Sequence, residues 1–251
     1  MLINLISLIF PSAFLKYLFN VFALSLGKGF DLGSLSKEFK YVKPFLADNV
    51  SIFIDVGANS GAYTDELIAN YPDSKVYLFE PQKYLYNFLI KKYDGQNKIQ
   101  LFNVALDEAS KEALLYKRYE ADGHSSLHKR EHLITNACIQ EKICCKRFDE
   151  IITDEKIDFV KIDVEGNEMK VLKGMGKMIS KIRVIQVEFG GAWIDSRFFY
   201  KDLFDFFDSN NFSLYRMSPV NLIKIDKYDE ADEYFTHTNF IATNNSIFLH
   251  E

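Results

Sequence analysis

Residues 53–62, Phe53-Ile54-Asp55-Val56-Gly57-Ala58-Asn59-Ser60-Gly61-Ala62, decide how this chain folds. The apolar run Ile52, Phe53, Ile54 and Val56 reads as a buried strand that enters a Gly-x-x-x-Gly turn. Beyond the turn, Tyr63 to Tyr71 has helical spacing, with Leu67 and Ile68 apolar and Asp65 and Glu66 in the first turn. A strand, a glycine turn and a helix start let a nucleotide-like ligand lie close to the main chain. The spacing differs from the dinucleotide Gly-x-Gly-x-x-Gly, which seats a pyrophosphate on a helix N-terminus. Asp55 would repel an anion placed beside it, so the pattern favours a ligand with positive charge or none there. S-adenosylmethionine (SAM) fits that better than NAD.

Two further strand ends extend the pattern. Val76-Tyr77-Leu78-Phe79-Glu80-Pro81 ends in a carboxylate about twenty residues after the glycine turn, the distance at which an acidic side chain meets a ribose diol. Ile157 to Glu168 (IDFVKIDVEGNE) reads as a strand, an acidic turn and a helix start. Met169, Val171 and Leu172 supply a buried helix face, and Gly174 and Gly176 supply stop signals. Asp163, Glu165 and Glu168 would be costly to bury without a role, and open α/β sheets bind ligands at such strand ends.

These stretches resemble the motifs of the FkbM family of SAM-dependent methyltransferases. FIDVGANSGAYT (residues 53–64), Phe79-Glu80-Pro81 and KIDVEGNE (residues 161–168) carry the likeness. Asn103-Val104-Ala105-Leu106 and Val187-Glu188-Phe189 follow in the family's order, and the likeness runs from about Ser51 to Asn211. It implies an α/β fold with a Rossmann-like, doubly wound, mostly parallel sheet. It also implies SAM as cofactor and an O-methyltransferase acting on hydroxyls of sugars or polyketide-type products.

Composition narrows the setting. One domain of ordinary size has room for a full core. A net charge of -5 with no lysine/arginine stripe gives no nucleic-acid footprint. Cys138, Cys144 and Cys145 form no Cys-x-x-Cys pair, which favours a reducing, cytoplasmic compartment, with one of the adjacent pair filling core. Met1 to Leu26 is rich in Leu, Ile and Phe but interrupted by Pro11 and Lys16. It lacks the features of a cleaved signal and reads as an interfacial helix pair rather than a span, or as a cap on the sheet or a second subunit. Residues 1–44 are accordingly expected to be an apolar helical extension and linker, with 45–251 the methyltransferase domain. Asp226 to Glu233 reads as a mobile acidic loop, Asn239 to Thr243 as a closing strand, and the aromatics from Phe198 to Phe207 as a helix packed on the sheet.

Each candidate residue has a functional reading and a structural one. Asp55 lies near the amino or sulfonium end of SAM, or caps the glycine turn. Gly57 and Gly61 admit the ligand, or are plain turn residues. Asn59 orients the methionine carboxylate, or caps the next helix. Glu80 accepts from the ribose diol. Asn103 and Ala105 lie at the adenine, with the Asn103 amide alternatively satisfying backbone groups. Asp163 faces the methyl donor, and Glu165 orients the acceptor or takes its proton, since a sugar hydroxyl needs help to become a nucleophile. The structural alternative for Glu165 is helix capping, to which Glu168 is assigned outright, and Lys161 is expected to turn away from the site or to meet a carboxylate below it. His124, His128 and His132 recur at helical i, i+4, i+8 spacing. They mark a base at His124, a metal site, or a solvated helix face with Lys129 and Arg130; no metal set is assigned, although a divalent ion between Asp163 and Glu188 stays open. Trp193 stacks on a sugar or anchors the core. Two rival functions are an NAD-linked sugar oxidoreductase and a non-catalytic subunit supporting a glycosyltransferase.

Overall fold

A computed structural model describes residues 10–29, 33–130 and 138–248. Eight strands form one sheet in the order β10-β9-β11-β8-β7-β1-β2-β3. They are β1 (Ile52–Val56), β2 (Lys75–Phe79), β3 (Ile99–Phe102), β7 (Ile157–Ile162), β8 (Ile182–Phe189), β9 (Phe212–Met217), β10 (Leu222–Ile225) and β11 (Thr238–Asn244). Strands β3, β2, β1, β7 and β8 are mutually parallel, while β11, β9 and β10 continue the sheet antiparallel. A smaller sheet, β4-β6-β5, comprises β4 (Ala105–Leu106), β5 (Lys111–Lys117) and β6 (Ile139–Lys146).

The main helices are α1 (Ser12–Ser25), α2 (Leu35–Val42), α3 (Ala62–Asn70), α4 (Lys83–Lys92), α5 (Glu168–Gly174), α6 (Ala192–Ser196) and α7 (Tyr200–Ser209). Strand side chains alternate between faces, so each strand feeds two cores. Ile54, Val56, Val160, Ile162, Ile185 and Val187 pack with Met169, Val171 and Leu172 of α5 and Leu203 and Phe207 of α7. Phe53, Val76, Leu78, Phe159 and Val184 pack on the other face with Phe39, Tyr63, Leu67 and Leu89. Burial on both faces explains why these strands read as near-continuous apolar runs.

Chain order reverses at β1, which has β2 on one side and β7 on the other, and an open α/β sheet forms its ligand crevice at such a point. Register sharpens this. Val56 pairs with both Phe79 and Ile162, so Gly57, Glu80 and Asp163 leave their strands side by side.

Three expectations need correction. Composition placed a linker up to residue 44, but Phe39 and Val42 of α2 are buried in the second core, so the core begins before that boundary. The histidine spacing is not helical: residues 124–130 form a loop tied by a Tyr116–Ser126 bridge, and His132 lies outside the described residues. The acidic segment is fastened: Asp232 pairs with Lys28 and Arg216 at 2.9 Å each, and Glu233 accepts from the Tyr200 and Lys201 amides. The strand expected at Asn239 to Thr243 is β11, which lies between β8 and β9. Cys145 is fully buried and Cys144 exposed, as a single core-filling cysteine requires. No described helix is long and apolar enough to cross a membrane.

Candidate cofactor cleft and acceptor cavity

The glycine turn is shaped by contacts that leave no room for side chains. Gly57 has φ +85°, and a Cβ there would fall 1.9 Å from the Asp163 carbonyl oxygen. The bare backbone therefore lets the β1 and β7 ends close on each other. Its amide and that of Ala58 both donate to the Phe79 carbonyl, and the Asp163 amide donates to Val56. Gly61 answers to packing instead. It opens α3 at φ +75°, does not line the cleft, and its missing Cβ makes way for the Tyr93 hydroxyl, which donates to the Gly61 carbonyl.

Over this turn lies a cleft of about 200 Å3 with three chemically distinct parts. Phe79, Leu106, Leu115 and Leu127 make an apolar pocket beside Ala105, with Ser125 and Gln82 at its polar edge. Glu80 stands at the middle. Asn59, Lys161 and Asp163 line the far end. The small sheet supplies the Ala105, Leu106 and Leu115 wall. An adenine, a ribose diol and a cationic amino-acid end match these parts in that order, so the residues fit SAM.

Glu80 is almost fully buried, and its two oxygens accept from the Asn59 amide (2.8 Å) and the Gln82 amide (2.9 Å). Those bonds fix the carboxylate while leaving lone pairs for two more donors. Burial pushes its pKa up to about 7, against the two amides, which favour the charged form. Asn59, at φ +48°, lines the cleft and does not cap α3, where Gly61 holds that position. Asn103 departs from its assigned role. Its amide donates to the Glu80 and Pro81 carbonyls at 2.9 and 3.0 Å and lies outside the cleft lining, while Val104 and Ala105 line it.

Asp55 also departs from its assignment. It is fully buried behind the cleft, accepts from Thr64 Oγ1 at 2.7 Å, and has a second oxygen 4.0 Å from Lys161 Nζ. Burial raises its pKa, with Lys161 and Thr64 opposing. Lys161 does not turn away: it meets the Asp55 carboxylate below the site, the second of its two readings, and also lines the cleft, bridging to Asp163, whose Oδ2 lies 3.0 Å from Nζ. Alternation along β7 was the available signal: residues 161 and 163 share a face, and the register pairs Lys161 with Asp55. Burial disfavours its charge, yet the flanking carboxylates hold Lys161 above its ordinary range.

Asp163 begins a second set of contacts. Its side chain is one-third exposed. Burial alone would raise it, but Lys161 and a hydrogen bond from Glu188 hold it below the usual carboxylate range. Glu188 takes the opposite direction, raised by burial and by the Asp163 charge. The other face of Glu188 meets His237 Nδ1 at 2.9 Å.

Glu165, at φ +55°, and Gly166, at φ +103°, turn the loop after β7 sharply. A non-glycine residue in that region is uncommon and concentrates at functional sites. The turn sets the Glu165 carboxylate between His124 Nδ1 (2.7 Å) and Arg130 (3.0 Å). Glu168 performs the capping assigned to it: its carboxylate accepts from the Val164 and Gly166 amides, and burial lifts it to about 8.

The outer side of Glu165 borders a second cavity of about 190 Å3, lined also by His124, Arg130, Glu188, His237 and the Gly190–Gly191 backbone. Two carboxylate–imidazole pairs, Glu165–His124 and Glu188–His237, therefore share one chamber, and Glu165 belongs to both cavities. Trp193 also borders the chamber but is almost fully buried, donating to the Glu188 carbonyl at 3.2 Å, which makes it an anchor. His128 is half-buried and lines neither cavity, its pKa lowered chiefly by its partial burial. Among the described residues, no group of three or more His, Cys, Asp or Glu is arranged to hold a metal ion. Sequence reading missed His237, which no local pattern marks, and took Arg130 for a solvated residue although it is largely buried on Glu165 and near Asp195.

No curated protein matches the chain. Several solved structures align over most of it at low identity. A putative rRNA-methylase from Clostridium thermocellum is 13% identical, with a TM-score of 0.48, covering 84% of this chain and 94% of its own. SMU.1697c, a putative methyltransferase from Streptococcus mutans in complex with SAH, is 14% identical with a TM-score of 0.45, covering 83% and 97%. Precorrin-6y C5,15-methyltransferase from Geobacter metallireducens is 10% identical with a TM-score of 0.45, covering 84% and 87%. The family model of the methyltransferase FkbM domain matches residues 55–214, well over half of the sequence and spanning the cleft from Asp55 to Glu188, and this chain belongs to that family.

Proposed function

We propose that this chain is an O-methyltransferase that uses SAM and acts on a carbohydrate hydroxyl. The observation that carries this reading is the second cavity, joined to the cofactor cleft at Glu165 and walled by two carboxylate–imidazole pairs. Bound SAM supplies an electrophilic methyl on a sulfonium. The residues must then orient an alcohol and take its proton as the new O–C bond forms. His237 is one candidate base. With Nδ1 donating to Glu188, its Nε2 is the basic nitrogen, and Glu188 is backed in turn by Asp163 and Lys161. His124 is the second candidate, held on Glu165, whose other oxygen is engaged by Arg130. Arg130, Glu165 and His124 offer both donors and acceptors to a polyol, and the bare Gly190–Gly191 backbone leaves space for a ring.

Calorimetry with SAM, with NAD as control, tests the cofactor. Transfer of labelled methyl from SAM to a panel of methyl glycosides tests the acceptor. Micromolar SAM affinity and a methyl ether on a glycoside are expected. Label found only in protein or nucleic acid would overturn the carbohydrate assignment, and a folded chain that binds no SAM would overturn the cofactor assignment.

A further inference from the structure

The first described helix does not behave like part of a globular domain. Among the residues of α1, Ala23 alone is buried. Phe14, Tyr17, Phe19, Val21, Phe22 and Leu24 are all exposed, Tyr17, Phe19 and Phe22 by about 60% (63%, 59% and 65%). At 100° per residue these six cover an arc of roughly 220° around the helix axis. Lys16, Asn20 and Ala23 fill the rest, so the helix is amphipathic with an unusually broad apolar side. Lys16 is the one charged residue between Met1 and Gly27, and it stands on the opposite, narrow side of the helix, near the middle of the remaining arc of about 140°.

Breadth decides between occupants. A partner helix or a protein groove covers a stripe roughly 100° wide and would leave more than half of this arc in water. A lipid–water interface covers a broad arc, and a lysine on the opposite side stays in the water and headgroup layer. The helix is 14 residues long, about 21 Å, and a bilayer core is about 30 Å, so it suits lying in the interface rather than crossing.

Its root is tied to one side of the active site. Phe19 packs on Tyr234 with ring centroids 6.0 Å apart, Lys28 pairs with Asp232 at 2.9 Å, and the Gly29 amide donates to Thr238 Oγ1. Gly29 also has no room for a Cβ because of Thr236. Thr236 and Thr238 flank His237, which walls the second cavity.

We propose that α1 is a monotopic membrane anchor that seats the His237 rim at a lipid surface. If the acceptor reading above holds, the hydroxyl is then presented by a membrane-borne glycan; the anchoring itself does not depend on that reading.

The test is flotation of the full chain with phosphatidylcholine vesicles, with and without one part in four of phosphatidylglycerol. Its control is a variant carrying Phe14→Ser, Tyr17→Ser and Phe22→Ser. The full chain should float with both compositions, more strongly with the anionic one through Lys16. The variant should bind on the order of a hundredfold more weakly while melting at the same temperature, since the three side chains touch solvent. In parallel, Phe14→Trp should show a blue-shifted emission and quenching by brominated lipid. A chain that stays with the soluble fraction but forms a dimer or larger species by light scattering, dispersed in the triple variant, would overturn the proposal in favour of self-association. Equal flotation of full chain and variant would overturn it as well.

Discussion

The two halves of the site are built on different principles. The cofactor half is mostly backbone: a glycine turn, amides clamped on Phe79 and Glu80, and one carboxylate at a strand end. The half we assign to the acceptor is almost wholly side chains, a network running from Lys161 through Asp163 and Glu188 to His237, with Glu165, His124 and Arg130 opposite. A backbone-built site tolerates little change in shape but is indifferent to many side chains. A side-chain network can be retuned residue by residue over an unchanged fold, which suits one methyl donor and many acceptors.

Gly57→Ala breaks the comparison most completely, because Gly57 joins the halves. Its Cβ would collide with the Asp163 carbonyl, and the φ of +85° is strained for alanine. Neither obstacle is the movable end of a side chain. A loss of about 3–5 kcal/mol in urea unfolding is expected, together with loss of SAM binding in calorimetry. Gly61→Ala should cost less, about 1–2 kcal/mol, because the Tyr93 hydroxyl can shift.

A matched pair of variants should separate the halves. His237→Gln is expected to lower the rate of methyl transfer about 10²- to 10³-fold while SAM affinity stays unchanged. Its pH–rate profile should lose the rise assigned to the imidazole, a change that a merely structural residue would not produce. Glu80→Ala should weaken SAM binding about ten- to a hundredfold and leave the acceptor KM in place at saturating SAM. If each variant damaged both quantities equally, the division into halves would fail.

The same division explains what the sequence made legible. The strand, glycine turn and helix around Phe53–Ala62 are contiguous, and their apolar runs and turn residues encode local geometry directly. Glu80 and Ala105 followed from strand ends of the same kind. The second cavity gathers His124, Arg130, Glu165, Glu188, Gly190, Gly191 and His237 from four separate parts of the chain, and no local period marks their meeting. Thus His237 was invisible, Arg130 looked solvated among its charged neighbours, and the three histidines suggested a helix where the chain is pinned by a β-bridge. Asn103 was misplaced because a strand-end position does not say whether an amide faces the ligand or clasps the next loop.

Buried carboxylates make the rim sensitive to pH as well. Glu168 sits at about 8 in the fold against 4.5 for a free glutamate. Between those values the folded chain binds more protons than the unfolded one, so stability should fall as pH rises through the window. Glu80, at about 7, contributes with the same sign over the lower part of it. The chain should lose on the order of a few kcal/mol between about pH 5 and 8. Glu168→Gln should flatten part of that slope in thermal melts taken across the range. An unchanged slope would mean that the amides of Val164 and Gly166 hold the carboxylate ionised despite its burial.

The smallest effect belongs to Trp193, and it distinguishes a wall from a contact. An indole that stacked on a sugar would present a face to the cavity, whereas Trp193 is buried to within 1% and packs on Phe189 at 4.9 Å. Its one polar atom is satisfied by the Glu188 carbonyl at the end of the strand that carries the base's partner. Trp193→Phe removes that hydrogen bond and some volume but keeps an aromatic ring in the core. A loss of about 1–2 kcal/mol in stability is expected, with the acceptor KM changed less than twofold and His237 chemistry intact. A tenfold rise in KM without loss of stability would instead make Trp193 part of the acceptor surface. The network would then extend one residue deeper than its hydrogen bonds indicate.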